Sequence, residues 1–341
     1  MPERHAHLVG SMPGADAEEA MSLALEVLGP HLRTLPDGET GERFHWILHI
    51  ESALRSHPDL EVAKEGDWSD YDKVTVLKVR RGHRLLGANL DFGHARYAAE
   101  SWPVFERLRA AAGRPELPFQ VGIPGDLDMA MFTLGPTGAL RHRRAFTEST
   151  VATIRRIHEQ LGDQVVFQLE VPVELVLLAR APAVAQPALA ALLARGMVAV
   201  AAAAPAGARF GVHLCVGDMN HKAFGSMSDV SPLVRLAAAI VGRWPDGRPL
   251  EFVHAPFAGA DVPPSTDPAF YGPLDGLRLP SGTRFVAGFA HEKQGIAEQR
   301  AIRDRIEGHL RRRVDVAAAC GLGRRQRADA EANLRRVAEL V

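Results

Sequence analysis

Phe210-Gly211-Val212-His213-Leu214-Cys215-Val216-Gly217-Asp218 reads as a buried strand that runs into a turn, because small and apolar residues lead up to the Gly217-Asp218 punctuation. Side chains alternate along a strand, so His213 and Cys215 leave the same face. That spacing suits a metal: an imidazole and a thiolate together favour zinc over magnesium or calcium, which take all-oxygen shells. The bland alternative is a core histidine beside an inert buried cysteine. The cysteine count weighs against it. The chain has two cysteines, and the other, Cys320, closes a second apolar segment, Val314 to Cys320, followed by Gly321-Leu322-Gly323.

Outward from this strand, short apolar runs alternate with helical patterns in both directions. Before it lie runs at His5 to Ser11, Leu32 to Leu35, Leu117 to Pro124 and Val165 to Glu170, with helices expected over Asp16 to Leu28, Glu42 to Ser56, Ala95 to Ala112, Ala139 to Leu161 and Pro187 to Ala203. After it come Pro249 to His254, Thr283 to His291 and the Cys320 segment, again separated by helical patterns. Eight strands alternating with helices imply a parallel (βα)8 TIM barrel, here one domain over 1–341. Residues 57–93 fit the alternation least. Lys73 to Val79 and Arg84 to Leu90 are expected to form a hairpin-like insertion over one mouth of the barrel. A doubly wound sheet would alternate in the same way, but no Gly-x-Gly-x-x-Gly or Walker loop follows the first run. In a barrel the chemistry sits at the carboxyl ends of the strands, and Ser11, Asp37 with Glu39, Glu170, His213 with Cys215, His254, His291 and Cys320 all fall there.

Composition narrows the function classes. Lys and Arg number 40 against 41 Asp and Glu, so no polyanion-binding bias exists and nucleic acid is not an expected partner. Arg311-Arg312-Arg313 and Arg324-Arg325 read as solvated helix faces. No signal-like start and no uninterrupted 18-residue apolar run are present, so the expected home is the cytoplasm, without a membrane partner. In such a reducing compartment both cysteines stay thiols or metal thiolates.

With its residues laid out in this way, the chain resembles the catalytic barrel of cobalamin-independent methionine synthase, within the uroporphyrinogen-decarboxylase-like superfamily. The likeness runs in patches over nearly the whole length: Gly10-Ser11-Met12-Pro13 beside the family's Gly-Ser-Phe-Pro-like turn, Gly38-Glu39 with Arg43, Gln168-Leu169-Glu170-Val171-Pro172 beside Gln-Ile-Asp-Glu-Pro, His213-Leu214-Cys215, and Cys320-Gly321-Leu322. The resemblance implies Zn²⁺ held by His213, Cys215 and Cys320, with a position open for a substrate thiol that becomes the thiolate nucleophile. It implies that Ser11, Glu39 and Glu170 face that thiol, a carboxylate fixing an amino group such as that of homocysteine, and that His291 and Glu39 are the catalytic groups, His291 as an acid toward the methyl donor.

Two departures qualify this. The family's further glutamate ligand has no counterpart at the end of the sixth strand, where His254 stands, so His254 is the candidate fourth ligand and iron stays open beside zinc. The family's amino-terminal duplicated barrel, which helps hold folate, does not fit in 341 residues. That puts a folate donor in doubt and leaves the donor unknown, with a smaller donor, a corrinoid or another alkyl carrier open. The expected function is zinc-dependent methyl or alkyl transfer to or from a small thiol; the alternative is a metal-dependent lyase or hydrolase on the same barrel. The 57–93 insertion leaves room for a homodimer.

Overall fold

Runs such as Val165-Val166-Phe167-Gln168-Leu169 are buried almost end to end, which is the pattern of strands covered on both faces. They form a parallel sheet. The computed structural model describes residues 3–341, running α1 (Ala17–Leu28), β1 (Leu35–Pro36), α2 (Trp46–Arg55), β2 (Leu60–Lys64), β3 (Val76–Val79), α3 (His94–Ala111), β4 (Phe119–Pro124), α4 (Asp126–Leu161), β5 (Val165–Val171), α5 (Pro172–Arg180), α6 (Gln186–Ala203), β6 (Arg209–Leu214), α7 (Ser231–Val241), β7 (Leu250–Pro256), β8 (Arg284–Ala290), α8 (Ile296–Leu310), β9 (Asp315–Ala318) and α9 (Arg327–Leu340). Seven of the strands pair in the order β1-β4-β5-β6-β7-β8-β9, each parallel to the next. An apolar layer between sheet and helices, including Phe105, Phe167, Phe210, Phe285, Ile306 and Leu334, holds the two together. A separate small cluster, Val166, Phe252, Val286 and Ala317, packs apart from it. Gly211 is required there, since a Cβ on it would lie 2.1 Å from the Phe252 ring.

The closed eight-stranded barrel is not what forms. The expected first strand, His5 to Ser11, is reduced to single parallel bridges from Ala6 to Leu32 and to Val316, so the seven-stranded sheet is open between β1 and β9. The reason lies in where this segment's carbonyls go. The Gln120 amide donates to Leu8 and Val9 O at 2.8 and 3.0 Å, and the Gln168 amide donates to Val9 O at 2.6 Å. Ser11 O accepts from the amides of Leu322 and Gly323. Side chains and a turn take the hydrogen bonds that a ladder would have used.

The insertion also pairs differently from expectation. β3 pairs antiparallel with β2, Leu60 opposite Val79, while 84–90 holds only a short 3-10 turn at Gly87–Asn89. The alternation of Leu60, Val62 and Lys64 supplies the partner strand. The loop between β2 and β3 reaches the carboxyl ends of the sheet: Tyr71 stacks on Phe224 with centroids 4.3 Å apart, and Trp68 O accepts from Asn220 Nδ2.

Helix α4 starts earlier than its periodicity suggests and is broken at Gly135, whose φ of 64° and ψ of 179° are not helical. Helix α5 was not expected. Asp128 Oδ1 accepts from Val173 N at 2.7 Å and so holds its first turn. By length and composition α6 could cross a membrane, with a mean hydropathy of 1.5, but it packs on α4, α5 and α7.

Candidate metal centre and substrate cleft

Register sets the centre. Glu170, His213 and His254 lie opposite one another on β5, β6 and β7, so two imidazoles and a carboxyl meet across adjacent strands. Cys215 lies just past β6 and Cys320 just past β9. Their sulfurs come within 3.6 Å of each other, and the Cys320 sulfur lies 3.9 Å from His213 Nε2. The three ligand atoms all fall within 4.8 Å of one another. A tetrahedral ion with Zn–S of about 2.3 Å and Zn–N of about 2.0 Å spaces sulfur from sulfur by roughly 3.8 Å and nitrogen from sulfur by roughly 3.5 Å. The donor set and its spacing fit zinc.

Which His213 nitrogen is free follows from hydrogen bonding. Ala318 O can only accept, so His254 Nε2, 2.9 Å away, carries the proton. Burial lowers the His254 pKa to about 4 and that of His213 well below its usual value, so both rings are neutral near pH 7. His254 Nδ1 is therefore an acceptor, and it accepts from His213 Nδ1–H at 2.7 Å. That leaves the His213 Nε2 lone pair facing the sulfurs. With both of its nitrogens engaged in this way, His254 stands behind the cluster and outside its three converging ligand atoms.

Each sulfur has its own N–H donor: Gly217 N lies 3.2 Å from Cys215 Sγ, and Arg324 Nη2 lies 3.5 Å from Cys320 Sγ. A hydrogen bond from the Cys215 thiol lowers the Cys320 pKa, while that bond and burial raise the pKa of Cys215.

A cleft of about 570 Å³ opens over this cluster, lined among others by Ser11, Glu39, Tyr71, Glu170, Asp218 and Arg324. Glu39 and Glu170 converge over Gly122, where a Cβ would sit 2.6 Å from Glu39 Oε1 and 3.0 Å from Glu170 Oε1. Any other residue at 122 would displace them. Burial, followed by the charge of Glu170, raises the Glu39 pKa to about 8; burial, followed by the charge of Cys320, raises that of Glu170 to about 7. Glu39 adopts a left-handed φ of 44°, uncommon for a side-chain-bearing residue, and its amide donates to Asp37 Oδ1. Asp37 is itself tied to Ser101 and Arg43. On the far side of the two glutamates lies a second lobe of about 610 Å³, walled by Trp46, Phe92, Tyr97 and Phe119.

His291 does not line the cleft. Gln299 on α8 clamps its main chain, accepting from the His291 amide at 3.0 Å and donating to its carbonyl at 2.7 Å. Its Nδ1 accepts from Lys293 N. The clamp ties the main chain at His291 to α8.

The arginine pair is not a solvated face. The side chains of Arg324 and Arg325 are 9% and 1% exposed, paired with Asp218 and Glu292 respectively. Cleft residues missed in the sequence include Arg324, Asp218 and Tyr71. A Cys-Gly-Leu turn carrying two arginines beside a suspected ligand was the available signal for the first.

No protein-family model matches the sequence, and no curated protein matches it. Solved structures do. A B12-independent methionine synthase from Shewanella sp. W3-18-1, in complex with selenomethionine, superposes with a TM-score of 0.57 at 14% identity, covering 95% of this chain and 86% of that one. A putative vitamin-B12-independent methionine synthase from Listeria monocytogenes gives 0.55 at 12% identity, covering 99% and 98%. A methyltransferase from Methanosarcina mazei gives 0.51 at 13% identity, covering 99% and 94%. At these identities the likeness establishes a shared fold.

Proposed function

We propose that this chain is a zinc-dependent enzyme that transfers a methyl or other alkyl group to or from a small amino-thiol such as homocysteine. One observation carries the reading: His213 Nε2, Cys215 Sγ and Cys320 Sγ lie within 4.8 Å of one another at the floor of a cleft that also holds two convergent buried carboxyls. The fold shared with B12-independent methionine synthases and a methyltransferase supports it. Zinc bound by these residues supplies a Lewis acid that keeps a substrate thiol ionised at neutral pH. His213, oriented by His254, presents its lone pair, and three protein ligands leave one position for the substrate sulfur.

Glu39 and Glu170 receive the substrate's ammonium group. Two carboxyls this close hold a proton at neutral pH, and a cation placed between them lets both ionise. Their raised pKa values thus describe a site waiting for positive charge. The glutamine amide of Gln168, 3.0 Å from Glu170 Oε1, fixes that carboxyl in place. The partners are a thiol and an alkyl donor, and the second aromatic lobe is space for the larger of the two. A cytoplasmic home accords with two unbridged cysteines.

Elemental analysis of the purified protein, followed by X-ray absorption at the metal edge with and without homocysteine, tests the reading. Near-stoichiometric zinc with two sulfur ligands, rising to three on adding the thiol, is expected. An unchanged sulfur count would move the assignment to a metal-dependent lyase or hydrolase. A protein that binds no metal would overturn the ligand set itself.

A further inference from the structure

Among the residues lining the cleft, Arg324 alone carries a permanent positive charge. It is buried, and its donors are incompletely used. Nη1 donates to Phe44 O at 3.1 Å and Nη2 to Cys320 Sγ at 3.5 Å. Nε lies 3.1 Å from Asp218 Oδ2 but off the hydrogen-bond line, and neither that nitrogen nor the two Asp218 oxygens has a hydrogen-bond partner. A guanidinium carries five N–H groups, so one on each terminal nitrogen remains unspent, a pair matched to a carboxylate. Leaving buried donors unmade is costly, and a ligand that accepts from them relieves that cost.

We propose that Arg324 binds the carboxylate of the thiol substrate, so that the cleft takes an α-amino-acid thiol at three points: sulfur on the metal, ammonium at Glu39 and Glu170, and carboxylate at Arg324. This rests on the thiol reading above and narrows it to acid-bearing thiols. Asp218 balances the charge of Arg324 in the empty cleft and holds the side chain in position. Arg324 is accordingly a specificity residue, and because it also donates to Cys320 Sγ its variants are compared at measured metal content.

The test compares homocysteine with 3-aminopropane-1-thiol, which is homocysteine without its carboxylate. Both are titrated into the cobalt(II)-loaded protein, the sulfur-to-cobalt absorption giving the dissociation constant. Wild-type protein should bind homocysteine about 10- to 100-fold more tightly, the range expected for a charge-assisted bidentate pair. In Arg324→Met the ratio should fall to near one. Arg324→Gln, which keeps a donor for Phe44 O, is measured alongside with cobalt content determined for each, so that a variant that loads poorly does not stand alone. An unchanged ratio in cobalt-loaded Arg324→Gln and Arg324→Met would overturn the role of Arg324 and leave the thiol reading intact. If neither thiol perturbs the wild-type spectrum, the thiol reading falls and this inference falls with it.

Discussion

His254 bears on the cluster of His213, Cys215 and Cys320 through hydrogen bonds. By accepting from His213 Nδ1 and donating to Ala318 O, it settles the tautomer that points a lone pair at the two sulfurs. Replacing it with phenylalanine removes that acceptor, so zinc affinity should fall about 10- to 100-fold while the circular dichroism spectrum is retained. Competition with a chelating dye measures this. Unchanged affinity would mean that the 2.7 Å contact orients nothing. The sequence made His213, Cys215 and Cys320 legible because strand alternation and scarcity of cysteine both act locally. For His254 it offered a ligand role, and position at a strand end says nothing about the ring nitrogens, which engage His213 and Ala318 O. It misassigned Arg324 and Arg325 for a related reason: their partners, Asp218 and Glu292, come from other strand ends. The main-chain clamp on His291 was not legible either, since Gln299 lies on the following helix.

At the scale of elements, the β2–β3 hairpin reaches the cleft wall at Tyr71. Tyr71 Oη accepts from Met219 N at 2.7 Å and donates to Lys222 O at 3.1 Å, pinning the loop after β6 against the cleft wall. Tyr71→Phe keeps the stacking on Phe224 but removes both hydrogen bonds of the hydroxyl, leaving Met219 N with its 3.2 Å bond to Lys222 O, at about 1–2 kcal/mol. Homocysteine binding should weaken by about 5- to 30-fold with zinc content unchanged. Titration of the thiol beside elemental analysis reads both quantities, and a loss of zinc in this variant would show that the hairpin supports the ligands rather than the substrate. An insertion over the mouth was legible from the break in alternation. Its strand pairing was not, because a short apolar run such as Leu60 to Lys64 carries little signal until its partner is known.

Across the whole molecule, the site is stored at some expense to stability. Glu39 keeps its proton in the folded protein up to about pH 8, whereas the unfolded chain loses it near 4.5. The folded state then binds more protons than the unfolded state between those values, so stability falls as pH rises through that window. Metal-free Glu39→Gln should lose the Glu39 share of this fall, keep the share that Glu170 contributes, and exceed the wild type at pH 8 by on the order of 1–3 kcal/mol. Urea midpoints at pH 5 and pH 8 check it, and parallel pH profiles for the two proteins would refute it. The α/β alternation was legible along nearly the whole chain. The open edge was not, because it depends on Gln120 and Gln168 reaching carbonyls more than a hundred residues away. The 3.6 Å approach of the two sulfurs has a consequence at the bench. Stripped of metal and left in air, they are placed to couple, tying together positions 105 apart in the chain and sealing the cleft floor. On the zinc reading proposed above, the handling history of a preparation, whether it met reductant or chelator first, then decides how much of it can take up metal.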